Sequence, residues 1–302
     1  MIQLERMSES GSQREASVGL AYGLAAFVTW GLLPLYFHAL HDVPATETLA
    51  HRICWAPIVL GVMITVRRAW RHPRAVLPHL RTLVVTTLLL STNWLVYIIS
   101  INTDRVLEAS LGYFITPLVN VALGVIVLRE KLSRMQAIAI GLAATGVATL
   151  MIGTGTTPWI PVVLALSFGT YGLLRKRLDM PPLEALLVET MLVMPFAATW
   201  LVVLAVRGDA TFAAGDPTRD ALLVATGIIT ALPLVWFAHA ARRLRLATLG
   251  ALQYVAPSIG MLIAVAVFEE PFGRWQAIAF GTIWVSLAIY GTDAARRARD
   301  LR

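Results

Sequence analysis

The sequence predicts an all-α polytopic membrane protein, with ten transmembrane helices arranged as two inverted five-helix repeats. Three observations carry that expectation. The 302 residues are 57% hydrophobic and only 14% charged, against about 45–50% and about 25% in an ordinary soluble domain. So few charges cannot solvate the surface of a soluble protein of this size. Apolar runs long enough, or nearly so, to cross about 30 Å of hydrocarbon follow one another along the whole chain. One stretch of the chain also recurs 140 residues later.

Residues 1–17 are polar and mixed in charge, without a short apolar core or cleavage site of their own. They read as a cytoplasmic tail rather than a cleaved signal peptide. Spans are expected at roughly 18–38, 46–66, 82–101, 106–128, 135–152, 158–174, 183–206, 221–241, 246–268 and 275–291, and 292–302 is a basic cytoplasmic tail. These continuous runs lack the period-two alternation of a membrane barrel. Ten helices of about 20 residues use roughly two-thirds of the chain. What remains holds no sizeable soluble domain, which excludes a membrane-anchored enzyme with a water-soluble catalytic head.

The formal net charge of +7 falls in brief clusters between spans, so it reads as orientation in a lipid bilayer and not as a nucleic-acid surface. Alternate loops on one side, with both tails, hold 20 of the 25 Lys and Arg. The other side holds four (Arg105, Arg207, Arg219 and Arg274), and Arg52 lies inside a span. The positive-inside rule then puts both termini in the cytoplasm and requires an even number of spans. Cys54 stands alone, so there is no disulfide framework, and it reads as a small packing residue.

Residues 105–151 align without a gap on 245–291, and 12 of the 47 positions are identical. Among them are Arg105/Arg245, Pro117/Pro257, Glu130/Glu270, Arg134/Arg274 and Gln136/Gln276. Apolar composition alone matches scattered Ala, Ile and Val, but not Pro, Glu, Arg and Gln in register. The chain therefore divides into a first unit, 18–152, and a second, 153–291. Five spans per unit is odd, so the second unit is inserted upside down relative to the first. Inverted repeats are a recurring plan of secondary transporters, with substrate bound near the midplane between the halves. The expectation is alternating-access movement of a small organic solute, driven by a proton gradient or by the solute's own gradient.

Longer motifs add a resemblance. Trp30-Gly31-Leu32-Leu33-Pro34-Leu35-Tyr36-Phe37, His51-Arg52, Asn93-Trp94, Glu108 to Ile115 and Pro117-Leu118-Val119-Asn120 resemble the RarD branch of the EamA-type drug/metabolite transporters. So do Tyr171 to Lys176, Glu189-Thr190 and Leu252 to Pro257. The resemblance covers nearly the whole chain. It implies a bacterial inner-membrane permease of ten spans in which spans 1–4 and 6–9 line the cavity. Spans five and ten would lie outside it, free to support a homodimer.

No HExxH, G-x-S-x-G or GxxxxGK signature occurs, and no metal or cofactor is expected. Ionisable residues inside spans are more informative, because each costs at least about 2.5–3.5 kcal/mol near the bilayer centre unless partnered or hydrated. Glu47, His51 and Trp55 share one face of span two at i, i+4, i+8 spacing, and Arg52 lies beside them. The repeat, with a short slip of register, sets Glu189 opposite Arg52. The pair reads either as one electrostatic unit in a midplane solute pocket or as a permanent structural ion pair. Arg52 does not lose its proton, so it needs a carboxylate from the protein or from the solute. Glu189 and His51 are the candidate proton carriers.

Trp30, Trp55, Asn93, Trp94, Tyr97, Tyr113, Asn120, Tyr171, Trp236, Gln253 and Tyr254 offer aromatic and amide surface for an amphipathic ligand. The same residues read equally well as helix–helix hydrogen bonds and an interfacial aromatic belt. Pro117 and Pro257 are expected to act as paired hinges. Two rival readings remain: an intramembrane enzyme using His51 with Glu47 or Glu189, and a non-transporting sensor or scaffold.

Overall fold

The computed structural model describes residues 2–66, 76–128, 134–155, 157–244, 248 and 252–300. Among them the backbone forms ten α-helices, one 3-10 turn and no strand. The first five helices are α1 (Ile2–His38), α2 (Ala45–Val66), α3 (Leu80–Asn102, preceded by the turn Leu77–His79), α4 (Val106–Leu128) and α5 (Arg134–Thr154). The second five are α6 (Trp159–Lys176), α7 (Pro182–Arg207), α8 (Pro217–Ala241), α9 (Val255–Ala266) and α10 (Arg274–Asp300). The basic loop residues Arg67, Arg68, Arg71, Arg74, Arg129, Lys131 and Arg245, and Glu130 of the repeat, lie outside the described residues.

Seven of the helices are long and apolar enough to cross a membrane: α1 from Ser17 onward, α2, α3 with its turn, α4, α5, α7 and α8. α6 and α9 are apolar but shorter. The apolar stretch of α10 is diluted by Gln276, Gly281, Thr282, Ser286 and Gly291. Large apolar side chains face outward where a soluble protein would place charges, including Ile58, Val62 and Val66 on α2 and Val202 and Val206 on α7. An exposed apolar surface of that kind is stable against lipid and not against water. The chain is a multi-pass membrane protein.

Three boundaries depart from the sequence reading. α1 and α10 run on as helices through segments read as tails. Within span nine, expected from 246, a turn at Gln253 and Tyr254 follows the helical Leu252 and precedes the helix Val255–Ala266. Pro257 then occupies the first turn of α9, where its missing N–H is no loss. Its counterpart Pro117 sits deep inside α4. The two prolines match in sequence and differ in their helical setting.

Every helix of 18–152 packs against one or more of 153–291, and the partnerships, α4–α10 apart, interchange when helix numbers shift by five. α1–α8 corresponds to α3–α6, α1–α9 to α4–α6, and α2–α8 to α3–α7, whereas α2–α7, α4–α9 and α5–α10 are their own counterparts. Small residues let the backbones approach. A Cβ at Gly227 of α8 would lie 2.7 Å from the carbonyl carbon of Trp55 on α2. On the α5–α10 seam, Ser286 donates to the Ala139 carbonyl at 2.6 Å, and Gly146 faces the Ala279 carbonyl.

Ties also join α1 to α8 at both ends. At the His38 end of α1, Tyr36 donates to the Leu222 carbonyl and Asp42 pairs with Arg219 at 3.1 Å. At the other end, Glu15 pairs with Arg243 at 3.0 Å.

Candidate functional site

Helix α2 carries its polar residues on two faces, because neighbours in an α-helix are turned about 100° apart. On one face Arg52 is buried among α1, α3, α4 and α8. Its Nε donates to Thr230 Oγ1 of α8 at 2.9 Å. The guanidinium carbon lies 4.0 Å from the ring centre of Trp94 and 5.6 Å from that of Phe37. The titratable groups that interact with it are the phenols of Tyr113, Tyr97 and Tyr36. Among the described residues no carboxylate lies within ion-pair distance, and Nη1 is buried without a hydrogen-bond partner.

The aromatic cluster continues away from Arg52. Phe37 meets Tyr97 edge-on at 6.2 Å, and Tyr97 meets Tyr113 at 5.7 Å. Tyr113 donates to Asn93 Oδ1 at 3.0 Å. Asn93 in turn donates to the Leu164 carbonyl at 3.1 Å and to Ser167 Oγ at 3.0 Å, both on α6. A continuous polar and aromatic path thus links the first unit to the second.

On its other face α2 carries Glu47, His51 and Trp55, which line one cavity of about 230 Å³ with Cys54, Leu201, Ala205, Ala210 and Phe212. The i, i+4, i+8 spacing therefore gives the shared face that it predicts. Glu47 Oε1 accepts the N–H groups of Thr211 and Phe212 at 2.8 and 3.2 Å. Trp55 Nε1 donates to His51 Nδ1 at 3.3 Å, which leaves the proton of a neutral ring on Nε2. Glu47 Oε2 and His51 Nε2 are both buried and unpartnered.

Glu189 does not join Arg52. Its Oε1 accepts from Thr86 of α3 at 2.7 Å and lies 3.6 Å from Arg175 Nη1. Its Oε2 accepts from Tyr171 of α6 at 3.3 Å. The physical reason is that α2 and α7 run antiparallel. The start of α2 lies at the end of α7, where Glu47 takes the N–H groups of Thr211 and Phe212. His51 and Trp55 accordingly share their cavity with Leu201 and Ala205. Between Glu189 and Leu201 an α-helix rises ~18 Å, at ~1.5 Å per residue. The level of α7 beside His51 and Arg52 therefore carries a leucine and an alanine, and the carboxylate lies far below it. The single midplane unit expected for Arg52 and Glu189 is thus two separate centres in this structure.

The remaining expected site residues are dispersed. Trp30 packs edge-on against Phe27 at 5.3 Å and near Phe237 at 5.8 Å, between α1 and α8. Tyr254 stacks on Phe114 at 6.4 Å, Trp236 is partly buried on α8, and Asn120 and Gln253 are exposed. Sequence reasoning missed Phe37, Thr86, Arg175 and Thr230 as partners of the charged residues. The two threonines are polar residues within apolar runs, and that is the signal the sequence offers for them.

Sequence reasoning also missed the role of Glu270, which the repeat alone singles out. Its Oε1 and Oε2 accept the Val106 and Leu107 N–H groups at 2.6 and 2.9 Å, closing the start of α4 against the α9–α10 connection. Burial pushes the Glu270 carboxyl above the usual carboxylate range, and those two N–H bonds pull it back down.

Apolar outer faces surround a charged and aromatic interior, and the comparisons with known proteins identify a membrane transporter. The EamA-like transporter family matches residues 17–152. The Protein RarD of Streptomyces exfoliatus is 44% identical over 296 residues, covering 96% of this chain and 93% of its own. An uncharacterized transporter of Vibrio cholerae is 42% identical over 296 residues, covering 95% and 98%. A crystal structure 20% identical superposes with a TM-score of 0.61 over 93% of this chain and 97% of that one, a likeness of fold alone. The chain belongs to the EamA-like transporter family and is of the RarD type. These names indicate a transporter rather than an enzyme.

Proposed function

We propose that the protein is a secondary transporter that moves a small organic solute across the bacterial inner membrane by alternating access. The observation that carries this reading is Arg52, a buried guanidinium with no carboxylate partner among the described residues, held where helices of both units meet. An ionisable group inside a membrane protein marks a solute or ion path by default. The interchange of packing partners on shifting helix numbers by five supports two inverted five-helix repeats, 18–152 and 153–291, with ten spans and both termini in the cytoplasm. Exchange of the two units' conformations would open the Arg52 cluster to each side in turn.

Other roles follow from position. His51, with Glu47, and Glu189 are the proton-carrying candidates, as two centres at different levels of the molecule. Pro117 and Pro257 are the hinges. The outward apolar faces of α5 and α10 face lipid or a second copy of the chain.

Counterflow tests the reading. Proteoliposomes preloaded with an unlabelled bacterial metabolite pool should concentrate one or more solutes from the same pool supplied with an isotope label outside. Arg52→Gln should abolish that accumulation. Uptake no greater than into protein-free liposomes would contradict the proposal.

A further inference from the structure

We infer that the solute carries a single negative charge, on a carboxylate or sulfonate, attached to an apolar or planar body. This rests on the transporter reading and names the substrate class of its central site. The sequence leaves two sources for the counter-ion of Arg52, the protein or the solute. Among the described residues the first is absent, because no carboxylate lies within ion-pair distance of Arg52 and Glu189 is engaged by Thr86, Tyr171 and Arg175 on a different level.

The stacking geometry points the same way. An aromatic ring over the flat face of a guanidinium offsets part of its charge but satisfies none of its N–H donors. Of those donors Nε is bonded to Thr230, while Nη1 is buried and unbonded. The planar guanidinium edge matches the edge of a carboxylate. Among the described residues no second cation interacts with Arg52, so a dianion would bring one charge too many. Trp94, Phe37, Tyr97 and Tyr113 supply ring surface for the rest of the molecule.

The test uses the purified wild-type protein in detergent and ligands that share one ring but differ in charge. Benzoate and benzenesulfonate should raise the midpoint of thermal unfolding in a concentration-dependent manner. Benzamide and benzylamine should not, and phenyl phosphate should bind more weakly than benzoate. Arg52→Gln should weaken benzoate binding about 10- to 100-fold, the usual effect of losing a charge-assisted hydrogen bond, and Arg52→Lys should recover part of it. The ligand series keeps the inference testable even where Arg52→Gln fails to fold. Equal responses to benzoate and benzamide would overturn it while leaving the counterflow result untouched. Benzoate binding without counterflow would support the anion site and contradict the transporter reading.

Discussion

Arg52 of α2 and Glu189 of α7 carry opposite charges, and each hydrogen-bonds a threonine hydroxyl from the other half of the chain. Thr230 of α8 serves Arg52, and Thr86 of α3 serves Glu189. Their separation makes a thermodynamic statement. Sites more than about 7–10 Å apart with no shared partner add within about 0.3–0.5 kcal/mol. The stability losses of Arg52→Gln and Glu189→Gln should therefore add in the double variant, measured by thermal unfolding at fixed detergent. Glu189→Gln and Arg175→Ala, which touch one ion pair, should not add. Coupling between Arg52 and Glu189 above about 1 kcal/mol would mean that they meet, as residues in contact typically show about 0.5–3 kcal/mol. The charged residues themselves were legible, because a charge in an apolar run stands out. Their partners were not, because the level at which α2 passes α7 and α8 is a property of packing that spacing within one helix does not contain.

At the scale of elements, the close crossing of α2 and α8 fixes the Arg52 cluster. Gly227 lies three residues before Thr230, and an added Cβ would meet the Trp55 carbonyl carbon at 2.7 Å and its oxygen at 2.8 Å. Both are backbone atoms and cannot turn aside. Gly227→Ala should push the helices apart, cost about 1–3 kcal/mol as overpacking does, and weaken the response to benzoate through the Thr230 bond. An unchanged unfolding midpoint with an unchanged benzoate response would remove this crossing from the account. Most helix limits were readable from the apolar runs, since α2, α4 and α7 begin and end within a residue or so of the expected spans. Span nine was not, because the turn at Gln253 and Tyr254 interrupts a run that carries no charged residue. Hydropathy records the environment of a segment and does not record whether its backbone stays helical.

For the whole molecule, the sequence repeats at a constant offset, and the helix packing partners interchange when helix numbers shift by five, α4–α10 apart. The conformation that the structure shows was not legible, because under the proposed alternating access one set of residues would build two conformations. Alternating access requires the α1–α8 ties to open at each end in turn. Cross-linking tests that requirement most directly, in a Cys54→Ala background with counterflow as the readout. One double variant places cysteines at Asp42 and Arg219, and the other at Glu15 and Arg243, the ion pairs at 3.1 and 3.0 Å that join the two helices at their opposite ends. Stapling either pair with a short bis-maleimide should abolish counterflow, while the unstapled variants retain it. Undiminished counterflow with either pair fully stapled would contradict the account.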